Sequence, residues 1–214
     1  MLVAPPPVIT PRMKLYYSPG TCSLSPHIAL LEAGLPFQAV MASTKTHKLA
    51  DGTDFFTINP KGYVPVLELD DGQRLSEGAV IVQYIADLAP ASRLAPPAGT
   101  MERYRLMEWL NFITSELHKG FAPLFTPGMP DEGKALARTR LGERLAWVDT
   151  QLVGRDWLMG DTFTVADTYL FTVASWGKYA GVDIAPLATL SAYMARVAAR
   201  PAVHAAMKAE GLIK

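Results

Sequence analysis

The proline-rich stretch APASRLAPPAG, Ala89 to Gly99, separates two segments with different hydrophobic rhythms. Before it, short apolar runs alternate with helix-like units. After it, apolar residues recur almost only at helical spacing. That change restricts the fold to an α/β segment followed by an all-α segment. Proline at this density stops a helix and marks a connection. The expected organisation is therefore an extension at residues 1–12, an α/β unit at 13–88, a linker at 89–100 and a helical unit at 101–214.

In the first unit, MKLYY (Met13 to Tyr17) reads as a short buried strand. A turn follows, then a helical run through Ile28 and Leu31 that Gly34 stops. Ser25 before Pro26 suits a helix start, and Ser23 suits one a turn earlier. FQAV (Phe37 to Val40) reads as a second strand, which favours a right-handed parallel crossover. A polar, irregular stretch runs from Ser43 to Asn59. VPVLELDDGQRL then reads as a hairpin, with Asp71-Gly72 supplying a tight primed turn. SEGAVIVQYIADLA is helical, with Ala79, Ile81, Val82, Tyr84 and Ile85 apolar. The order βαβ, then ββα, describes a thioredoxin-like layer (βαβαββα).

In the second unit, Leu106, Trp109, Leu110, Ile113 and Leu117 share one helical face, and Leu141, Leu145, Val148 and Leu152 share another. FTVADTYLFTVASW is an apolar helix opened by Thr164, with Asp167 three residues on, the spacing of a capping box.

Charge and cysteine content narrow the function. Twenty basic and twenty acidic residues cancel, so no footprint for nucleic acid or anionic lipid is present. No run reaches the ~18 apolar residues of a membrane span. MLVAPPPVITPR lacks a signal peptide's basic and apolar regions and reads as an extended, mobile extension. A single cysteine excludes an internal disulfide and a structural zinc site. The expected protein is soluble and cytoplasmic, with small neutral partners.

That cysteine, Cys22, lies in YYSPGTCSLSPHIALLEAGLPF, between a strand and a helix start. Unpaired backbone donors and the helix dipole there favour a thiolate, by about 0.3–2 kcal/mol for the dipole. A small buried hydrophobe fits the same pattern. Ser23, Leu24 and Ser25 follow it, so no second thiol is near in sequence.

Together with NPKGYVPVLELDDG, LSEGAVIVQYIAD, EWLNFITSELHKGFAPLF and FTVADTYLFT, that stretch resembles the bacterial beta-class glutathione transferases from Met13 onward. The resemblance implies a homodimer that uses glutathione as co-substrate, needs no metal and conjugates the tripeptide to small hydrophobic electrophiles. A thiol-disulfide oxidoreductase working through a mixed disulfide on Cys22 and a non-catalytic carrier of hydrophobic ligands are the alternatives.

The resemblance also implies roles. Cys22, His118 and Lys119 poise the sulfur. The Val64-Pro65 peptide is cis and the Val64 backbone grips glutathione; by residue type alone, Pro65 is equally an ordinary strand-start proline. Glu77 and the Gly78 amide take the γ-glutamyl end, although Ser76 and Glu77 also suit a plain helix start. Asn111, Ser115 and Glu116 help hold glutathione, partly across a dimer interface. They share a polar stripe with Tyr104, Glu108 and His118 that is also compatible with a solvated face. His47 stands where the family commonly has a lysine for the glycyl carboxylate, with Lys45 or Lys48 as possible substitutes. Phe121, Phe125, Trp176 and Tyr179 line a second-substrate pocket, although a packed core explains Phe125 and Trp176 equally well.

Overall fold

The computed structural model describes residues 13–214, so the expectation for residues 1–12 lies outside the described residues. Four strands form one mixed sheet in the order β2-β1-β3-β4. They are β1 (Lys14–Tyr17), β2 (Gln38–Met41), β3 (Val66–Glu68) and β4 (Arg74–Ser76). β1 and β2 run parallel through helix α1 (Leu24–Glu32), the arrangement the strand–helix–strand order favours. β3 is antiparallel to both β1 and β4, with Leu15 opposite Leu67 and Leu67 opposite Leu75. Helix α2 (Gly78–Leu88) follows. Between β2 and β3 the chain makes only a single 3-10 turn, Phe55–Thr57, capped by the Asp54 side chain.

Two local expectations change. The β3–β4 connection is not a primed turn, because Gly72 has φ 84° while Asp71 stays outside the left-handed region. Leu69 N–H donates to Gln73 O (2.8 Å) and Gly72 N–H to Leu69 O (3.0 Å), so the loop is Asp70-Asp71-Gly72. A loop of this length needs one left-handed residue, and Gly72 supplies it. Helix α1 begins at Leu24, after Ser23. Ser25 and Pro26 therefore sit inside the first turn, where a missing N–H is harmless.

The rest is helical: α3 (Met101–Phe112), a π-helical turn (Ile113–His118), α4 (Lys119–Phe125), α5 (Asp131–Gln151), α6 (Val165–Ala174), α7 (Gly177–Ala180), α8 (Ala188–Ala198) and α9 (Pro201–Ala209). α6 is buried along its whole length. The capping box at its start is present: Thr164 accepts from Ala166 N–H, and Asp167 accepts from Thr164 N–H at 2.8 Å. Asp167 Oδ1 also accepts from Leu158 N–H and the Tyr193 hydroxyl, each at 2.9 Å.

One apolar core runs through both segments and includes Leu15, Ile28, Leu67, Ile81, Leu106, Leu145 and Leu170. Each such side chain, taken from water, contributes about 1.5–3 kcal/mol. The proline-rich connection is pinned to this core at Leu94. Leu94 is buried, and its carbonyl accepts from Val165 N–H at 2.9 Å. Inside the interface, the Ser25 hydroxyl meets the Thr168 hydroxyl at 3.0 Å. No helix among the described residues is long and apolar enough to cross a membrane.

Candidate functional site

The helical segment holds the turn before Cys22 from two sides. Gly20 N–H donates to Glu210 Oε2, and Trp176 Nε1–H donates to Gly20 O, both at 2.9 Å. Gly20 adopts φ 69°, a conformation glycine takes without strain. The other Glu210 oxygen lies 2.8 Å from Nδ1 of buried His27 on α1. Ser23 Oγ accepts from Ser18 N–H (3.1 Å), which closes the turn and leaves Ser23 without a capping role. Cys22 is thus aimed by hydrogen bonds that span nearly the whole chain.

The sulfur donates to the Val64 carbonyl at 3.3 Å. Burial pushes the thiol up to about 11, against the opposing pull of its own backbone N–H and Lys119. The thiolate favoured by the position before α1 is therefore not the resting form. Removal from water outweighs the dipole because the dipole term is small.

Val64-Pro65 is cis. Val64 is buried, and its N–H has no partner among the described residues. The preceding turn needs Gly62, since a Cβ there would lie 2.6 Å from the Phe56 ring. The same turn sends Lys61 across to Glu77 Oε1 (2.6 Å) and Ser76 Oγ (3.1 Å). Glu77 precedes α2 at φ 71°, a left-handed conformation unusual outside glycine. Its side chain caps no amide of α2, which counts against a plain helix-start role. The hydrogen bond from Lys61, with help from the Lys119 charge, holds its carboxyl below the ordinary value. His47, at φ 52°, packs tilted against Phe56 with ring centroids 4.6 Å apart, and its buried Nδ1 has no hydrogen-bond partner among the described residues.

The opposite wall comes from the π-helical turn and α6. π-turns within longer helices recur at functional sites because they shift side chains out of α register. Here the turn presents Thr114 and His118 to Tyr169. His118 Nδ1 lies 2.7 Å from the Tyr169 hydroxyl. Burial first, and Lys119 second, lower His118 to about 4, so its imidazole is neutral at neutral pH. Burial raises Tyr169 well above its ordinary value and keeps it a phenol.

These walls enclose a groove of about 720 Å³. Cys22, His47, Val64, Glu77, Gly78, His118, Lys119 and Phe125 all line it. Other expected residues stand apart. Asn111, Ser115 and Glu116 are exposed and lie outside the groove wall; Ser115 bonds to Asn111 O, and Glu116 pairs with Arg144. Phe121 and Trp176 are buried behind Phe125, with Phe125 and Trp176 centroids 6.2 Å apart. Tyr179 is 69 % exposed and stacks under Lys178. Lys45 and Lys48 are exposed and outside the lining as well.

Lys61 and Tyr169 are groove residues that the sequence reading passed over. For Lys61 the signal was its place beside Gly62 in KGYVPVL. Tyr169 sits in an apolar helix, where an aromatic residue ordinarily means core. Among the described residues, no three His, Cys, Asp or Glu side chains converge to hold a metal ion.

Two family models match: the glutathione S-transferase N-terminal domain over residues 20–88 and the C-terminal domain over residues 112–201. Glutathione S-transferase GstA of Escherichia coli O157:H7 is 46% identical over 200 residues, covering 94% of this chain and 100% of that protein. The structure of a sphingomonad glutathione S-transferase complexed with glutathione superposes with TM-score 0.90 at 50% identity, covering 94% of this chain and 100% of the other. A bacterial beta-class glutathione S-transferase of Sphingomonas chungbukensis gives TM-score 0.91 at 49% identity, with the same coverage. This chain therefore belongs to the glutathione S-transferase family, and bacterial beta-class members are among its close relatives.

Proposed function

We propose that this protein conjugates reduced glutathione to small hydrophobic electrophiles in the groove lined by Cys22, Val64, Glu77 and His118. The observation that carries the reading is the Val64 N–H, unpaired among the described residues and on the same wall as the Glu77 carboxylate. An extended peptide pairs with such a backbone edge as an added strand. The relatives named glutathione S-transferases, one of them solved with glutathione, support it.

In this reading the cysteinyl backbone of glutathione pairs with Val64. Its α-ammonium takes the place of Lys61 on Glu77, an exchange of low cost because the exposed Lys61–Glu77 pair is worth about 0–1 kcal/mol. Lys61 and the first amides of α2, at Gly78, are then free for the α-carboxylate. His47, whose Nδ1 lacks a partner among the described residues, meets the glycyl end. The Cys22 thiol and His118 act on the tripeptide sulfur as hydrogen-bond donors, which favours its thiolate. The thiol proton is released to solvent, the thiolate attacks the electrophilic carbon, and the leaving group departs with the bonding electrons. Proximity and electrostatic stabilisation supply most of the rate. Phe125, backed by Phe121 and Trp176, offers the electrophile an apolar surface.

The reading includes a cytoplasmic homodimer in which Asn111, Ser115 and Glu116 act from the subunit interface. It calls for no metal. The Cys22 thiol, held near 11, speaks against mixed-disulfide exchange as the main activity. The test is turnover of an aryl halide. A glutathione-dependent rate supports conjugation. Disulfide reduction alone, or tight dye binding with neither activity, overturns it.

A further inference from the structure

We propose that Tyr169 is a positioning residue: its hydroxyl donates to Nδ1 of His118 and so fixes the ring hydrogen on Nε2. His118 then enters the reaction as a hydrogen-bond donor to sulfur and not as the base that removes the thiol proton. This rests on the conjugation reading for its catalytic consequence, but the tautomer itself does not.

Three hydrogen bonds decide the direction. The Thr114 hydroxyl lies 2.7 Å from the Leu110 carbonyl, an oxygen that can only accept. Its single hydrogen is used there. Thr114 Oγ1 and the Tyr169 hydroxyl are 3.5 Å apart, at the outer limit of a hydrogen bond. The geometry of that long contact suits only Thr114 as donor, so the acceptor in reach of the Tyr169 hydrogen is His118 Nδ1 at 2.7 Å. Reversing that contact, with Nδ1–H donating to Tyr169, would leave the buried phenol hydrogen without an acceptor among the described residues, and an unmade buried bond is costly.

With Nδ1 accepting, the neutral imidazole carries its hydrogen on Nε2. Nε2 makes no hydrogen bond to the described residues, and His118 lines the groove. Other contacts hold the ring in place. Tyr169 meets it edge-on with centroids 5.9 Å apart, and Trp176 does the same at 5.0 Å. The charged or titratable groups around it are Lys119 on α4, Glu77 before α2, Cys22 before α1 and Tyr169 on α6. None besides Tyr169 contacts Nδ1 among the described residues. The fully buried helix α6 thus sets the chemistry of a side chain on a different helix.

Nitrogen NMR of histidine-labelled protein, without glutathione at neutral pH, reads the tautomer directly. The wild-type His118 ring is expected with Nε2 protonated and Nδ1 bare. Tyr169→Phe is expected to populate both tautomers, while thermal unfolding reports whether it remains folded. In the aryl-halide reaction the same variant is expected to lower kcat about tenfold with KM for glutathione within about twofold. A wild-type ring protonated on Nδ1 overturns the proposal, even if Tyr169→Phe does not fold. A folded Tyr169→Phe protein with unchanged tautomer and kcat overturns it too. Absence of turnover in the wild type would count against the conjugation reading and leave the tautomer result standing.

Discussion

The Cys22 thiol donates its hydrogen to the Val64 carbonyl across 3.3 Å, from a turn whose Gly20 is held by Glu210 and Trp176. A cysteine before a helix suggests an activated sulfur. Here burial prevails, and the thiol is held near 11. In ligand-free protein, the rate of Cys22 alkylation by iodoacetamide against pH is expected to inflect well above the ~8.5 of a free cysteine. An inflection near or below 8.5 contradicts this reading of the loop.

The Glu77 carboxylate is kept ionised by Lys61 and is offered to an incoming ammonium group. A hydrogen bond to a charged partner is worth about 1.5–3 kcal/mol. Glu77→Gln is therefore expected to raise KM for glutathione roughly 10- to 100-fold with a smaller change in kcat. Steady-state kinetics decide it, and an unchanged KM removes Glu77 from the binding site.

Glu210 and His27 form a buried pair, and the second Glu210 oxygen also holds Gly20. Glu210→Ala leaves both the imidazole and the Gly20 amide without their partner. Leaving a buried polar group without its hydrogen bond costs about 1–3 kcal/mol. Urea unfolding at neutral pH is expected to register that loss. A change under about 1 kcal/mol would mean that the C-terminal end does not secure the Cys22 turn.

Two buried groups give stability opposite dependences on pH. His118 is lowered from 6.5 to about 4, so its contribution is complete above 6.5 and is lost as pH falls toward 4. Asp167 is raised by burial from 3.8 to about 6, so its contribution is complete below 3.8 and is lost as pH rises through 6. Urea unfolding at pH 7 and pH 5 separates them. His118→Asn is expected to lessen the loss of stability on acidification, and Asp167→Asn to deepen it. Equal slopes in both variants would contradict the assignment.

The parts of this fold legible in the sequence are those written in local pattern. Thr164 and Asp167 announce the start of α6, and the short apolar run MKLYY announces β1. The hairpin was legible, but its turn type depended on whether Asp71 or only Gly72 turned left-handed. Groove-lining residues were legible where a motif carried them, as at Cys22, Val64, Glu77 and His118. What stayed hidden depends on folding itself. Tyr169 becomes polar machinery only when the π-helical turn brings His118 against it. The protonation of Cys22 follows from water excluded by packing. Lys61, and not Lys45 or Lys48, reaches the groove because Gly62 permits the sharp turn beside Phe56.

Calorimetric titration of the wild-type protein with reduced glutathione tests the central claim most directly. Saturable binding that weakens in Glu77→Gln is the expected result. A folded protein that takes up no glutathione at millimolar concentrations would contradict the account of the groove, leaving only the architecture.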